Sequence, residues 1–147
     1  MTPEKYQELK NEIINQAHYQ DLKKYIAHGH TSCFEHSIRV ADRCFKFINR
    51  YQVKCNHEAL IKGALLHDYY LYDWHDNNGF RFHGLKHHNF AVKNALADYQ
   101  VDPKVAHIIK AHMFPLTFWL IPKSKEAFIV SYCDKMASIK EILKIKN

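Results

Sequence analysis

The dipeptide His67-Asp68 closes an apolar run, Ala59-Leu60-Ile61-Lys62-Gly63-Ala64-Leu65-Leu66. An imidazole and a carboxylate at the end of a helix that reads as buried cost free energy unless something pairs with them. A divalent metal pairs with both, because neutral imidazole and ionised carboxylate are ordinary ligands of zinc, iron and manganese. Residues of the same two kinds stand upstream and downstream, His36 in Glu35-His36-Ser37 and Asp134 in Cys133-Asp134-Lys135. With a metal present, hydrolysis by an activated water is the chemistry such a set suits. No Ser-His-Asp or Cys-His nucleophile pattern is legible. The four glycines, Gly29, Gly63, Gly79 and Gly84, are too far apart for a phosphate-cradling loop.

These residues need a scaffold, and the chain reads as helix after helix. Thr2-Pro3 opens a first helix carrying Tyr6, Leu9, Ile13 and Ile14 at helical spacing. A second helix is predicted from Gln20 to Ala27, ending near Gly29. Ser32-Cys33-Phe34-Glu35 reads as a capping box, which puts His36 one turn into the helix that follows. Asn56 caps the helix that runs to Asp68, and a polar, aromatic loop follows from Tyr69 to Lys86, with Asp76-Asn77-Asn78-Gly79 as its turn signal. Another helix starts near His87 with Phe90, Ala91, Asn94 and Ala95. Asp102-Pro103 starts one that ends at His112. Met113 to Pro122 reads as a connection, and Ser124 caps a last helix carrying Asp134. No segment shows a strand period. The expected fold is all-α, a single-domain helical bundle of six or seven helices over residues 1–147. Ligands from several helices can converge at the centre of such a bundle.

Composition bounds the rest. With 47% hydrophobic and 14% aromatic residues the chain can bury a core, and four Gly and four Pro argue against a turn-rich β-sandwich. Cys33, Cys44, Cys55 and Cys133 form no CxxC pair, which reads as reduced thiols and a cytoplasmic location. The amino terminus lacks a signal-peptide core, and the apolar stretch Met113 to Pro122 is too short to span a bilayer, so no membrane partner is expected. The net charge of +6 suits a phosphorylated small-molecule substrate. The lysines are scattered and form no basic run with interleaved aromatics, so nucleic acid is not an expected partner. Of the twelve histidines, His18, His28, His57 and His107 read as ordinary members of polar or amphipathic helical contexts.

His36, then Gly63-Ala64-Leu65-Leu66-His67-Asp68, then Cys133-Asp134-Lys135, in an all-α chain, resembles the HD superfamily of metal-dependent phosphohydrolases. The resemblance runs from about Thr31 to Ser138 and implies an HD-type bundle holding one or two divalent transition-metal ions (Fe, Mn, Zn, Ni or Co). Branches that hold two metals add two histidines, in segments similar to His87-His88-Asn89-Phe90-Ala91 and Ile108-Ile109-Lys110-Ala111-His112. In that motif a small residue follows the first histidine by four positions, as Ala91 follows His87. His83-Gly84 is a competing match, similar to bacterial dinucleoside tetraphosphate hydrolases of the superfamily, but its fourth position is His87. His88 is the weakest match of the three. The resemblance therefore implies that His36, His67 and Asp134 hold one ion, that His87 and His112 hold the other, and that Asp68 bridges them. His83 is left as a proton donor, phosphate contact or alternate ligand.

One position departs from the pattern. Several branches carry a lysine three residues after the aspartate, where this chain has Leu71. Arg81, Lys86 and Lys135 are the cations expected to bind substrate in its place, with Lys86 beside His83 and Asp68 in the catalytic set. The segment from His67 to Trp74, with His83-Gly84 and His112 to Thr117, is also similar to a group of small bacterial HD proteins. The implied activity is hydrolysis of a nucleotide or other small phosphate ester. Two alternatives stay open: a nucleotide- and metal-binding regulatory protein of the same fold, and a di-iron oxygenase using the same ligands.

Overall fold

The computed structural model describes residues 1–72 and 83–143, and for residues 83–85 the backbone alone. Helix α1 (Pro3–Ile14) is capped by Thr2, whose side chain accepts from the Lys5 amide, and it buries Tyr6, Leu9 and Ile13. The segment expected as a second helix breaks into three pieces. Helix α2 (Ala17–Gln20) leads into a 3-10 turn at Asp21–Lys24, and strand β1 (Ile26–His28) then pairs antiparallel with β2 (Thr31–Ser32). Tyr25 is already extended, at φ −107° and ψ 134°, and its carbonyl accepts from the Cys33 amide at 2.8 Å. Gly29 takes φ +57° between the strands, a conformation that favours glycine. The burial rhythm changes here too: Tyr19 and Leu22 follow helical spacing, whereas Ala27 is buried between two half-buried neighbours.

Helix α3 (Cys33–Arg50) starts at the expected capping box. Ser32 Oγ accepts from the Glu35 amide, and the Glu35 carboxylate accepts from the Ser32 amide. Its inner face buries His36, Val40, Ala41, Cys44 and Ile48. Helix α4 (His57–Leu66) is the central element. It buries Ala59, Leu60, Ile61, Gly63, Ala64, Leu65 and Leu66 against α1 and α3, which explains its unbroken apolar run. Asn56 caps it through the Ala59 amide at 3.0 Å, and the Asn56 amide donates to the buried Glu126 carboxylate at 2.7 Å.

Three more helices close the bundle: α5 (His83–Tyr99), α6 (Pro103–Ala111), capped by Asp102, and α7 (Lys125–Ile142), capped by Ser124. Helix α5 begins one turn earlier than its apolar pattern indicated. Asn94 Nδ2 ties it to the residues after Asp68, donating to the Tyr69 and Tyr70 carbonyls at 3.1 Å each. Helices α4 and α6 cross at Gly63, where a Cβ would lie 2.4 Å from Ile108 Cγ2. Among the described residues the bundle is thus all-α apart from one short hairpin. Among the described residues, no helix is long and apolar enough to cross a membrane.

Candidate metal centre

Five elements bring six polar side chains to one point. His36 lies in the first turn of α3, and Asp134 lies midway along α7. His67 is the residue that ends α4, still in helical geometry at φ −59°, and Asp68 follows it. His112 ends α6 in the same way, at φ −63°. His87 comes from the first part of α5. All six are buried, so in each case the surrounding helix carries polar groups into the core that it would otherwise fill with apolar side chains.

The two oxygens of Asp68 face different partners. Oδ2 lies 3.7 Å from His36 Nε2 and 3.5 Å from His67 Nε2. Asp134 Oδ1 completes that group, 3.0 Å from His36 Nε2 and 3.6 Å from His67 Nε2. Oδ1 of Asp68 lies 3.2 Å from His87 Nε2 and 3.6 Å from His112 Nε2. The arrangement is two adjoining nests that share one carboxylate. The triad of His36, His67 and Asp68 and the triad of Asp68, His87 and His112 each bring donor atoms close enough to hold a metal ion, and a further triad, His67, His112 and Asp134, spans the two.

The imidazoles are turned so that Nε2 points inward. His67 Nδ1 donates to the Ala64 carbonyl at 2.7 Å, and His112 Nδ1 donates to the Ile109 carbonyl at 2.6 Å. A carbonyl can only accept, so the proton is on Nδ1 and the inward Nε2 of a neutral ring is a lone pair. His36 Nδ1 donates to the Glu141 carboxylate at 2.8 Å. Nε2 atoms then meet Nε2 atoms, His36 against His67 at 3.3 Å and His87 against His112 at 2.9 Å. Nitrogens this close need a proton or a metal cation between them, and for His36 and His67, already protonated on Nδ1, either one carries positive charge.

The electrostatics demand that charge. Burial opposes ionisation of Asp68, yet the neighbouring His67, His112 and His87 imidazoles hold its carboxyl well below the usual carboxylate range. Asp134 is held low in the same way, against burial, by hydrogen bonds from His36 and His67. Burial alone would depress His36; its bonds to Asp134 and Glu141 overcome that and push it up to about 10. Burial wins at His112, whose pKa is lowered. Without a metal, protons must neutralise two buried carboxylates. A divalent cation does so while also satisfying the Nε2 lone pairs, and the N and O donor set fits Mn, Fe, Co, Ni or Zn.

The six ligand residues expected from the sequence are therefore brought together. The other expected site residues stand differently. Arg81 and the His83 side chain lie outside the described residues. Lys86 is exposed on α5 next to His87. Lys135 Nζ turns inward and donates to the His112 carbonyl at 2.9 Å, the Ser131 carbonyl at 3.3 Å and Ser131 Oγ at 2.9 Å. Those bonds use its three donors to steady the end of α6. His88 is buried beside His87, and burial pushes its pKa down to about 4. Tyr70 packs in the core with its hydroxyl 2.9 Å from Cys33 Sγ.

Two residues at the site, Glu141 and Ser138, went unread in the sequence, and a third, His28, was read as an ordinary residue of a helical context but lies on a strand beside His36. Glu141 follows Asp134 by seven positions, two helical turns on the same face, and that spacing was the available signal. His28 sits on β1 with its ring edge-on to His36, centroids 5.1 Å apart. Ser138 Oγ lies 3.0 Å from His28 Nε2 and donates to Asp134 Oδ1 at 3.3 Å.

A helical bundle converging histidines and aspartates on paired nests is the architecture of a helical metalloprotein. A family model, HD domain, matches residues 33–139, and the chain belongs to the HD superfamily of metal-dependent phosphohydrolases. Comparison with curated proteins and with solved structures gives no significant match.

Proposed function

We propose that this protein is a metal-dependent phosphohydrolase acting on a nucleotide or another small phosphate ester. The observation that supports it most is the division of Asp68, with Oδ2 toward His36, His67 and Asp134 and Oδ1 toward His87 and His112. His36, His67 and Asp134 would hold one ion, His87 and His112 the other, and Asp68 both. When bound, divalent ions supply Lewis acidity and lower the pKa of water toward neutrality.

The chain's own residues do the rest. The Ala64 and Ile109 carbonyls fix two imidazoles in the tautomer that presents Nε2. Close packing around the six ligands limits the entry of bulk water, which strengthens every charge interaction at the site. Lys86, exposed beside His87, neutralises an incoming phosphate together with Arg81, and His83 gives a proton to the leaving oxygen. Lys135 reaches phosphate only by giving up its bonds to Ser131 and the His112 carbonyl.

The test is a screen of phosphomonoesters, phosphodiesters and nucleotides with added Mn²⁺ or Co²⁺. Turnover in the wild-type protein that is lost in Asp68→Ala supports the reading. One observation favours a second reading, a nucleotide-binding regulatory protein. Leu71, where several branches have lysine, packs against the core at φ 55° and offers no charge to a phosphate. Saturable nucleotide binding without turnover would select it.

A further inference from the structure

Resting on the metal-site reading, we infer that Glu141 is a positioning residue, the carboxylate that orients His36 and strengthens it as a ligand. Helix α7 places two carboxylates on either side of one imidazole. Asp134 Oδ1 meets His36 Nε2 at 3.0 Å, and two turns later Glu141 Oε2 accepts from Nδ1 at 2.8 Å. The Glu141 side chain is 3% exposed, so its charge acts with little screening by water. Its second oxygen is occupied as well. Arg39 Nη1 donates to Oε1 at 3.2 Å and to Thr31 Oγ1 of β2 at 3.3 Å. Because both oxygens are engaged, the carboxylate cannot rotate away from the ring. His36 and Arg39 are three residues apart on α3, so one helix face grips both ends of Glu141.

The three ligand imidazoles with a described Nδ1 partner are not equivalent. His67 and His112 donate to neutral carbonyls three residues back on their own helices. His36 donates to an ionised carboxylate on another helix. A carboxylate partner raises the basicity of the opposite ring nitrogen more than an amide carbonyl does, and loss of such a partner typically lowers metal affinity about 10–100-fold. Glu141 therefore acts on the nest formed by His36, His67 and Asp134, and leaves the nest of His87 and His112 largely alone. The arrangement also ties the hairpin to the site, since β2 reaches the ring through Thr31, Arg39 and Glu141.

The experiment is a titration of the metal-free full chain with Co²⁺, read by calorimetry and by ligand-field absorption. Glu141→Gln keeps the shape and an acceptor oxygen but removes the charge, and should weaken one binding step about 10-fold. Glu141→Leu should weaken the same step about 100-fold and leave the other unchanged. In a His36→Ala background, Glu141→Leu should cause no further loss, because the ring through which it acts is gone. Equal affinities for wild type and Glu141→Leu would overturn the inference while leaving the metal site standing. So would an undiminished loss in the His36→Ala background, which would mark Glu141 as a general structural residue. A folded wild-type protein that binds no Co²⁺ would overturn the metal reading itself, and this inference with it.

Discussion

Replacing Gly63 by alanine tests whether the crossing of α4 and α6 is as close as the site requires. Gly63 lies one turn before His67, and Ile108 one turn before His112, so this contact sets the separation of two ligand-bearing helix ends. A Cβ at Gly63 would stand 2.4 Å from Ile108 Cγ2, 3.0 Å from its Cβ and 3.3 Å from its Cδ1. Comfortable carbon contacts begin near 3.5 Å, and a β-branched side chain in a helix has little freedom to turn aside. Overpacking of this kind costs about 1–3 kcal/mol. Against it stands a helix-propensity gain of about 1 kcal/mol for Gly→Ala. Three close atoms on a stiff side chain place the clash toward the upper half, for a net loss of about 1–2 kcal/mol. For a domain of this size that is a fall of about 2–8 °C in Tm, measured on the metal-free protein by calorimetry or circular dichroism. Ile108→Ala removes the clashing methyl and leaves a cavity that the new methyl partly fills. The double variant should therefore be more stable than the two single effects predict when added. A Gly63→Ala protein as stable as wild type or more so, or strict additivity with Ile108→Ala, would refute the reasoning.

Two other perturbations probe the elements that carry the ligands. Ser32→Ala removes the acceptor for the Glu35 amide at the start of α3, one turn before His36. It should cost about 1 kcal/mol by denaturant unfolding and also weaken Co²⁺ binding. Glu126 accepts from the Asn56 amide and from Lys104, and although burial works against its charge, the hydrogen bonds lower its pKa from 4.5. A carboxyl depressed in the folded state contributes stability that is present above its unfolded value and lost as pH falls through the folded one. Glu126→Gln, which exchanges a charged acceptor for a neutral one, should lose about 1 kcal/mol at pH 7. The gap to wild type should close as pH drops below 4.5, and urea unfolding at several pH values reads it directly.

The helices of the bundle were legible because their signals are local. Thr2-Pro3, the Ser32/Glu35 box, Asn56, Asp102-Pro103 and Ser124 all cap in the structure. The run from Ala59 to Leu66 reads as buried because it lies at the centre of the bundle. The hairpin was not legible. Leu22 and Ala27 offer apolar residues to either period, and two strands of three and two residues are too short to show alternation. The ligand set could be read because His67-Asp68 is a costly pair in an apolar context, and family resemblance joined it to His36, His87, His112 and Asp134. Partners of those ligands were harder to read. The Ala64 and Ile109 carbonyls belong to backbone geometry, which no side chain announces. Glu141 and Arg39 look like an ordinary surface pair until α3 and α7 are packed together. Lys135, a cation beside a ligand, reads as a substrate contact, and in the structure its donors close on the end of α6 and on Ser131.

The central claim is a pair of metal nests sharing Asp68. The direct measurement is metal stoichiometry, by elemental analysis of metal-free protein reconstituted with Co²⁺ or Mn²⁺ and dialysed to equilibrium. The account predicts two equivalents per chain in the wild-type protein. It also predicts a loss of binding at both steps in Asp68→Ala, whose fold is checked by circular dichroism. A folded wild-type protein that retains no metal, or an Asp68→Ala variant that keeps both equivalents at wild-type affinity, would contradict it.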